Sequence, residues 1–110
     1  MLTAPGAFDG YARLIQDSKT FKNEVCARLF FMAHGPDPVE AAKEVQCPTL
    51  FLACEQDNLV APDSYEPAAK ALGDRAHVKT YPIGHFDIYE GEHFENAMSE
   101  MLIFMKEHLK

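Results

Sequence analysis

The chain has no run of basic residues, and its ten Lys and Arg are outnumbered by seventeen Asp and Glu, giving a formal net charge of −7. Such a surface repels nucleic-acid phosphates and anionic lipid headgroups, which argues against both as partners. Cysteine is scarce. Cys26, Cys47 and Cys54 form no C-x-x-C pair and are odd in number, as expected for small buried thiols in a reducing compartment rather than a disulfide framework. No apolar run approaches the roughly 18 residues of a membrane span, and no basic stretch precedes an apolar core near Met1. Internal repeats and low-complexity tracts are also missing. Together these absences leave a soluble, cytoplasmic globular protein as the expectation.

The chain is 110 residues long, 47% hydrophobic and 25% charged, with eight Phe and four Tyr, and by length it makes one domain. Its first part, 1–46, reads as helical and irregular. Pro5-Gly6 is a breaker, and Phe8, Tyr11, Ala12, Leu14 and Ile15 follow at helical spacing until Asp17-Ser18. A second helix is predicted from Lys22 to Ala33, its apolar face running through Val25, Cys26, Leu29 and Phe30, with His34-Gly35-Pro36 as the stop. Asp37-Pro38-Val39-Glu40 is a helix start in which Asp37 caps and Glu40 bonds back as in a capping box.

The second part, 47–110, reads as strand, helix, strand, helix. Thr49–Cys54 is a nearly unbroken apolar run, suited to a strand buried on both faces. A helix over Tyr65–Leu72, capped by Asp63 or Ser64, carries Pro67 in its first turn and ends at Gly73 in a left-handed cap. His77–Tyr81 alternates like an edge strand. Phe94, Ala97, Met98, Met101, Leu102, Met105 and Leu109 then mark one face of a closing helix. The fold class is therefore α/β: a right-handed parallel β-α-β unit with a C-terminal helix, preceded by a helical segment. Two parallel strands seldom stand alone. The chain is expected to self-associate or to form part of something larger.

Two residues carry the candidate chemistry. Asp57 follows the first strand and His85 the second, so in a parallel pair both leave from the same carboxyl edge. Strands lie about 4.8 Å apart, close enough for the two side chains to meet. A carboxylate fixes a histidine tautomer, and the histidine can then move protons near neutral pH. Glu55 is an alternative acid, and Asp87 and Tyr89 are expected to hydrogen-bond the loop presenting His85. His85, Asp87, Glu90, Glu92 and His93 cluster in sequence but lack H-E-x-x-H or H-x-H spacing, so neither a metal site nor a cofactor is expected.

Pro48-Thr49-Leu50-Phe51-Leu52-Ala53-Cys54-Glu55-Gln56-Asp57-Asn58-Leu59-Val60-Ala61-Pro62, with Gly84-His85-Phe86-Asp87-Ile88-Tyr89 beyond it, resembles the C-terminal part of the α/β-hydrolases. The resemblance covers 47–110 well, while 1–46 is more loosely similar to the end of that family's helical cap. It implies that Asp57 orients His85, and that His85 serves as general base and then general acid toward a carboxylic ester or similar acyl bond. The departure is the nucleophile. Members of that family carry it in a G-x-S-x-G turn ahead of the acid and histidine. Ser18, Ser64 and Ser99 lie in no such turn, Cys26 and Cys54 read as core, and no glycine-rich loop offers an oxyanion hole. The expected activity is that of an esterase-type hydrolase completed by a nucleophile-bearing half, with this chain silent alone. The alternative is a small non-catalytic protein that pairs the open edge of its first strand into a homodimer.

Overall fold

The computed structural model describes residues 4–28, 35 and 37–109. Within them lie helix α1 (Ala7–Ile15), helix α2 (Pro38–Glu44), strand β1 (Thr49–Cys54), helix α3 (Glu66–Leu72), strand β2 (Ala76–Tyr81) and helix α4 (Gly91–His108). Short 3-10 turns at Gly73–Arg75 and Asp87–Tyr89 lead into β2 and α4. The architecture is mixed α/β. β1 and β2 form a two-stranded parallel sheet in the register Thr49↔Ala76 through Cys54↔Tyr81. No described helix is long and apolar enough to cross a membrane.

Each element has a local cause. Asp37 Oδ1 accepts from Val39 N at 2.8 Å, so α2 begins where the aspartate and Pro38 predict. The reciprocal half of the capping box does not form. Glu40 instead takes Lys43 Nζ at 2.6 Å, an i,i+3 pair that competes for the same carboxylate. At α3 neither Asp63 nor Ser64 caps; Tyr65 holds the N-cap position without a side-chain bond, and Pro67 sits in the first turn. Gly73 closes α3 at φ 60°, ψ −130°, a region open to glycine rather than the left-handed helical cap expected.

The helix expected over Lys22–Ala33 is not seen in its first part: residues 22–26 are irregular, and 29–33 lie outside the described residues. At the end of α1, Ser18 Oγ accepts from Phe21 N at 3.0 Å and turns the chain. Phe21 then meets the edge of Tyr11 at 5.9 Å. Val25 is 65% exposed and Cys26 is exposed too, so the described part of the predicted apolar face is left unpacked.

The sheet is also more open than its composition implies. Every residue of β1 is half-buried, where burial on both faces was expected. A parallel strand with one neighbour keeps its other edge accessible, and the apolar run does not change that. β2 is exposed through residues 77–80, as an edge strand should be. On it His77 contacts Phe104 and His108 of α4 at ring distances of 5.3 and 5.1 Å, and Lys79 pairs with Glu100 at 3.1 Å. α4 is about 27 Å long by its 18 residues, whereas two strands make a sheet about 10 Å across. Only part of the predicted stripe is therefore covered: Ala97 is buried, but Leu102, Met105 and Leu109 are exposed.

The core is small. Ala7, Ala42, Leu72, Ile83 and Ala97 are its buried members among the described residues. α2 packs on α3, and Arg75 ties them by donating from Nε to Leu72 O at 3.1 Å and from Nη1 to Val45 O. The radius of gyration is 16.2 Å, against about 13 Å for a compact chain of this length.

Candidate active site

The site lies at the carboxyl end of the two strands. Backbone bonds continue past β1, from Glu55 N to Tyr81 O at 2.8 Å and from Gln56 N to Ile83 O at 3.0 Å. They carry the acid loop and the histidine loop side by side. Asp57 then turns back through its side chain. Oδ1 accepts from Leu59 N at 2.8 Å and Val60 N at 2.9 Å, while Oδ2 faces His85 Nδ1 at 2.7 Å. One oxygen anchors the loop and the other is left for the histidine.

The electrostatics agree with that division. Burial alone would raise the Asp57 carboxyl, but the bonds from Val60 N–H, His85 and Leu59 N–H outweigh it and hold the group below the usual carboxylate value. An ionised Asp57 can only accept, so Nδ1 of His85 carries the proton and Nε2 of the neutral ring holds the lone pair. Nε2 has no hydrogen-bond partner among the described residues, and the His85 side chain is 30% exposed against 12% for Asp57. The pair is thus a half-buried acid behind a more reachable base.

The histidine loop is held separately. Asp87 Oδ2 accepts from Gly84 N at 2.8 Å, as expected of Asp87, whereas Tyr89 contributes only its backbone N–H, to Phe86 O, and its ring is exposed. The edge of Phe86 packs on the His85 ring at 4.9 Å and 76°. Glu55 makes no bond to His85; Asp57 holds that position. Of the sequence cluster around His93, Asp87 is committed to Gly84 and Glu90 to Arg13, and no group of three metal-ligating side chains converges among the described residues.

A cavity of about 440 Å³ adjoins the pair, lined by Phe51, Val60, Pro62, Tyr65, Ile88, Phe94 and Met101 as well as Asp57 and His85. Ser64, read from sequence as a cap, lines this cavity but makes no hydrogen bond to His85 among the described residues. Cys54 lies on the same wall. Burial, then the neighbouring Asp57 and Asp87 carboxylates, push its thiol up, which disfavours the nucleophilic thiolate. The Tyr81 hydroxyl is buried without a partner, and burial and Glu100 keep it protonated by raising its pKa. The backbone donors at Leu59 and Val60 were not singled out from sequence. Asp-Asn-Leu-Val carries the signal for them, since an aspartate after a strand bonds N–H groups two and three residues on.

The chain is 31% identical over 106 residues to the quorum-quenching protein AidA of Acinetobacter baumannii, an alignment spanning 96% of this chain and 34% of that protein. It is 34% identical over 74 residues to an uncharacterized 31.7 kDa protein of the traX-finO intergenic region of Escherichia coli, spanning 66% of this chain and 26% of that one. The chain thus covers about a third or less of the length of these curated relatives. No family model matches it, and no solved structure matches it.

Proposed function

We propose that this chain supplies the acid–histidine part of an α/β-hydrolase-type centre, which cleaves a carboxylic ester or related acyl bond when completed by a nucleophile-bearing half that also supplies the oxyanion hole. The observation that carries the reading is the 2.7 Å bond from His85 Nδ1 to Asp57 Oδ2 at the carboxyl edge of a parallel strand pair. The apolar cavity beside it suits the acyl or alcohol side of such a substrate. The name of the Acinetobacter relative fits too, because ester-type hydrolysis is one way to destroy a small signalling molecule.

In this reading His85 Nε2 takes the proton from the nucleophile's hydroxyl as its oxygen attacks the acyl carbon. Asp57 stabilises the imidazolium that results and stays ionised itself. The imidazolium then protonates the leaving alkoxide, and a water activated at the same Nε2 releases the acid. Without that nucleophile-bearing half the pair has nothing to activate. A serine-reactive fluorophosphonate should leave this chain unlabelled. Mixed with a polypeptide matching the rest of the Acinetobacter relative, it should hydrolyse a short-chain aryl ester, and His85→Ala should abolish the turnover. Stoichiometric labelling of the chain alone, or turnover indifferent to His85→Ala, would sink the reading.

One observation favours a second reading, a homodimer without catalysis. Among the described residues β1 is an apolar strand with one paired edge and no charged residue in it, so its sequence carries no guard against pairing with a second copy. Light scattering that returns a stable monomer at all concentrations would remove it.

A further inference from the structure

We propose that α1 is the positioning element of the acid–histidine pair, acting by bridging the two loops that carry it. Three separate contacts support this. Asn58, next to Asp57, donates from Nδ2 to Pro5 O at 3.1 Å and ties the acid loop to the residues entering α1. Arg13 Nε reaches Glu90 Oε1 at 3.0 Å and pins the far end of the histidine loop. Between them, Gly10 lies against Phe86, the residue whose ring packs on His85.

The Gly10 contact decides the matter. A Cβ placed there would overlap the Phe86 ring, 2.5 Å from Cγ and 3.0 Å from the Phe86 Cβ. Only a residue without a side chain lets the helix backbone come this close. The last backbone bond between the loops is Gln56 N to Ile83 O, so His85 and Phe86 lie beyond the reach of the sheet ladder. Past that point Asp87 holds the loop through Gly84 N, and the imidazole itself lies between Asp57 on one side and Phe86, backed by α1, on the other. The polar hollow of about 300 Å³ between α1 and the loops is lined by both, which is the geometry of a bridge and not of a distant brace.

This role rests on the acid–histidine reading only for its consequence in catalysis; its test needs no nucleophile. In the full chain labelled with 15N-histidine, His85 should show a protonated Nδ1, an unprotonated Nε2 and a low-field Nδ1–H resonance. Gly10→Ala should lose that resonance and mix the two tautomers, although alanine is the better helix former. Circular dichroism should show α1 retained or strengthened. Arg13→Gln should weaken the signal and Arg13→Lys restore part of it. Phe8→Ala, on the exposed side of the same helix, should leave it unchanged. An unaltered Nδ1–H resonance in Gly10→Ala, or equal losses in Gly10→Ala and Phe8→Ala, overturns the proposal. Should Gly10→Ala fail to fold, an unaltered resonance in Arg13→Gln overturns it instead. Failure here leaves the hydrolytic reading standing, and absent ester turnover leaves this one standing.

Discussion

At the carboxyl edge of the sheet, Asp57 accepts three hydrogen bonds, Asp87 takes the Gly84 N–H, and Arg13 and Asn58 lock the loops to α1. Along the flank of β1 and the outer side of α4 there is no such economy. Leu109 is 74% exposed and Ile103 52%, and all six residues of β1 stay half-open. Polar groups at the edge are each satisfied by one or two well-placed partners, some local and some on another element. Apolar groups on the flank need large neighbouring surfaces, and two strands do not provide them. The pair can therefore be well placed on a scaffold that is poorly enclosed.

The largest effect is expected at the edge. In the completed assembly, Asp57→Asn should lower ester turnover by about 10⁴-fold, the scale seen when a triad aspartate is replaced, because the histidine loses its fixed tautomer. Turnover measured against the unsubstituted assembly checks it. On stability the contrast should reverse. Leu72→Ala removes one of the few buried large side chains and should cost about 2–5 kcal/mol in urea unfolding. Leu102→Ala, on the open flank, should cost less than about 0.5 kcal/mol. If a partner covers that flank, the Leu102→Ala cost should rise when the partner is added, which sharpens the distinction.

Acid separates the regions differently. The Asp57 carboxyl is depressed in the fold, so its contribution is complete above the ordinary carboxylate value and is lost as pH falls through the lower folded value. The low-field Nδ1–H resonance of His85 should therefore survive through mildly acid pH and vanish only below the range where free aspartates, near 3.9, titrate. A smaller effect concerns the thiols. Cys54, half-buried and pushed up, should react more slowly with iodoacetamide at neutral pH than exposed Cys26 and Cys47; mass spectrometry of the alkylated chain reads the order. Smallest of all, Lys79→Met should change stability by no more than about 1 kcal/mol, since its pair with Glu100 is exposed.

Much of this was legible in the residues. Asp37-Pro38 announces α2 because a capping carboxylate and a proline at the first turn act locally. Thr49–Cys54 and His77–Tyr81 announce parallel strands with a helix between them, the second beginning one residue earlier at Ala76. Asp57 and His85 could be named together because a parallel pair sends both following loops to one edge. Lys22–Cys26 was not legible, because its helical spacing needed a surface to pack on and the chain turns away at Ser18. Nor was the openness of β1, which depends on neighbours that composition does not count.

For the acid–histidine pair itself, the order of residues along the chain was enough to name the two partners and the edge they share, because strand direction and crossover are local consequences of pattern. Only the folded arrangement decided that the second oxygen of Asp57 meets His85 Nδ1, that Ser64 faces the cavity without reaching the imidazole, and that Gly10 comes up against Phe86. Those are relations of distance between residues far apart in the chain. They arise when separate elements pack, and no spacing within one element encodes them.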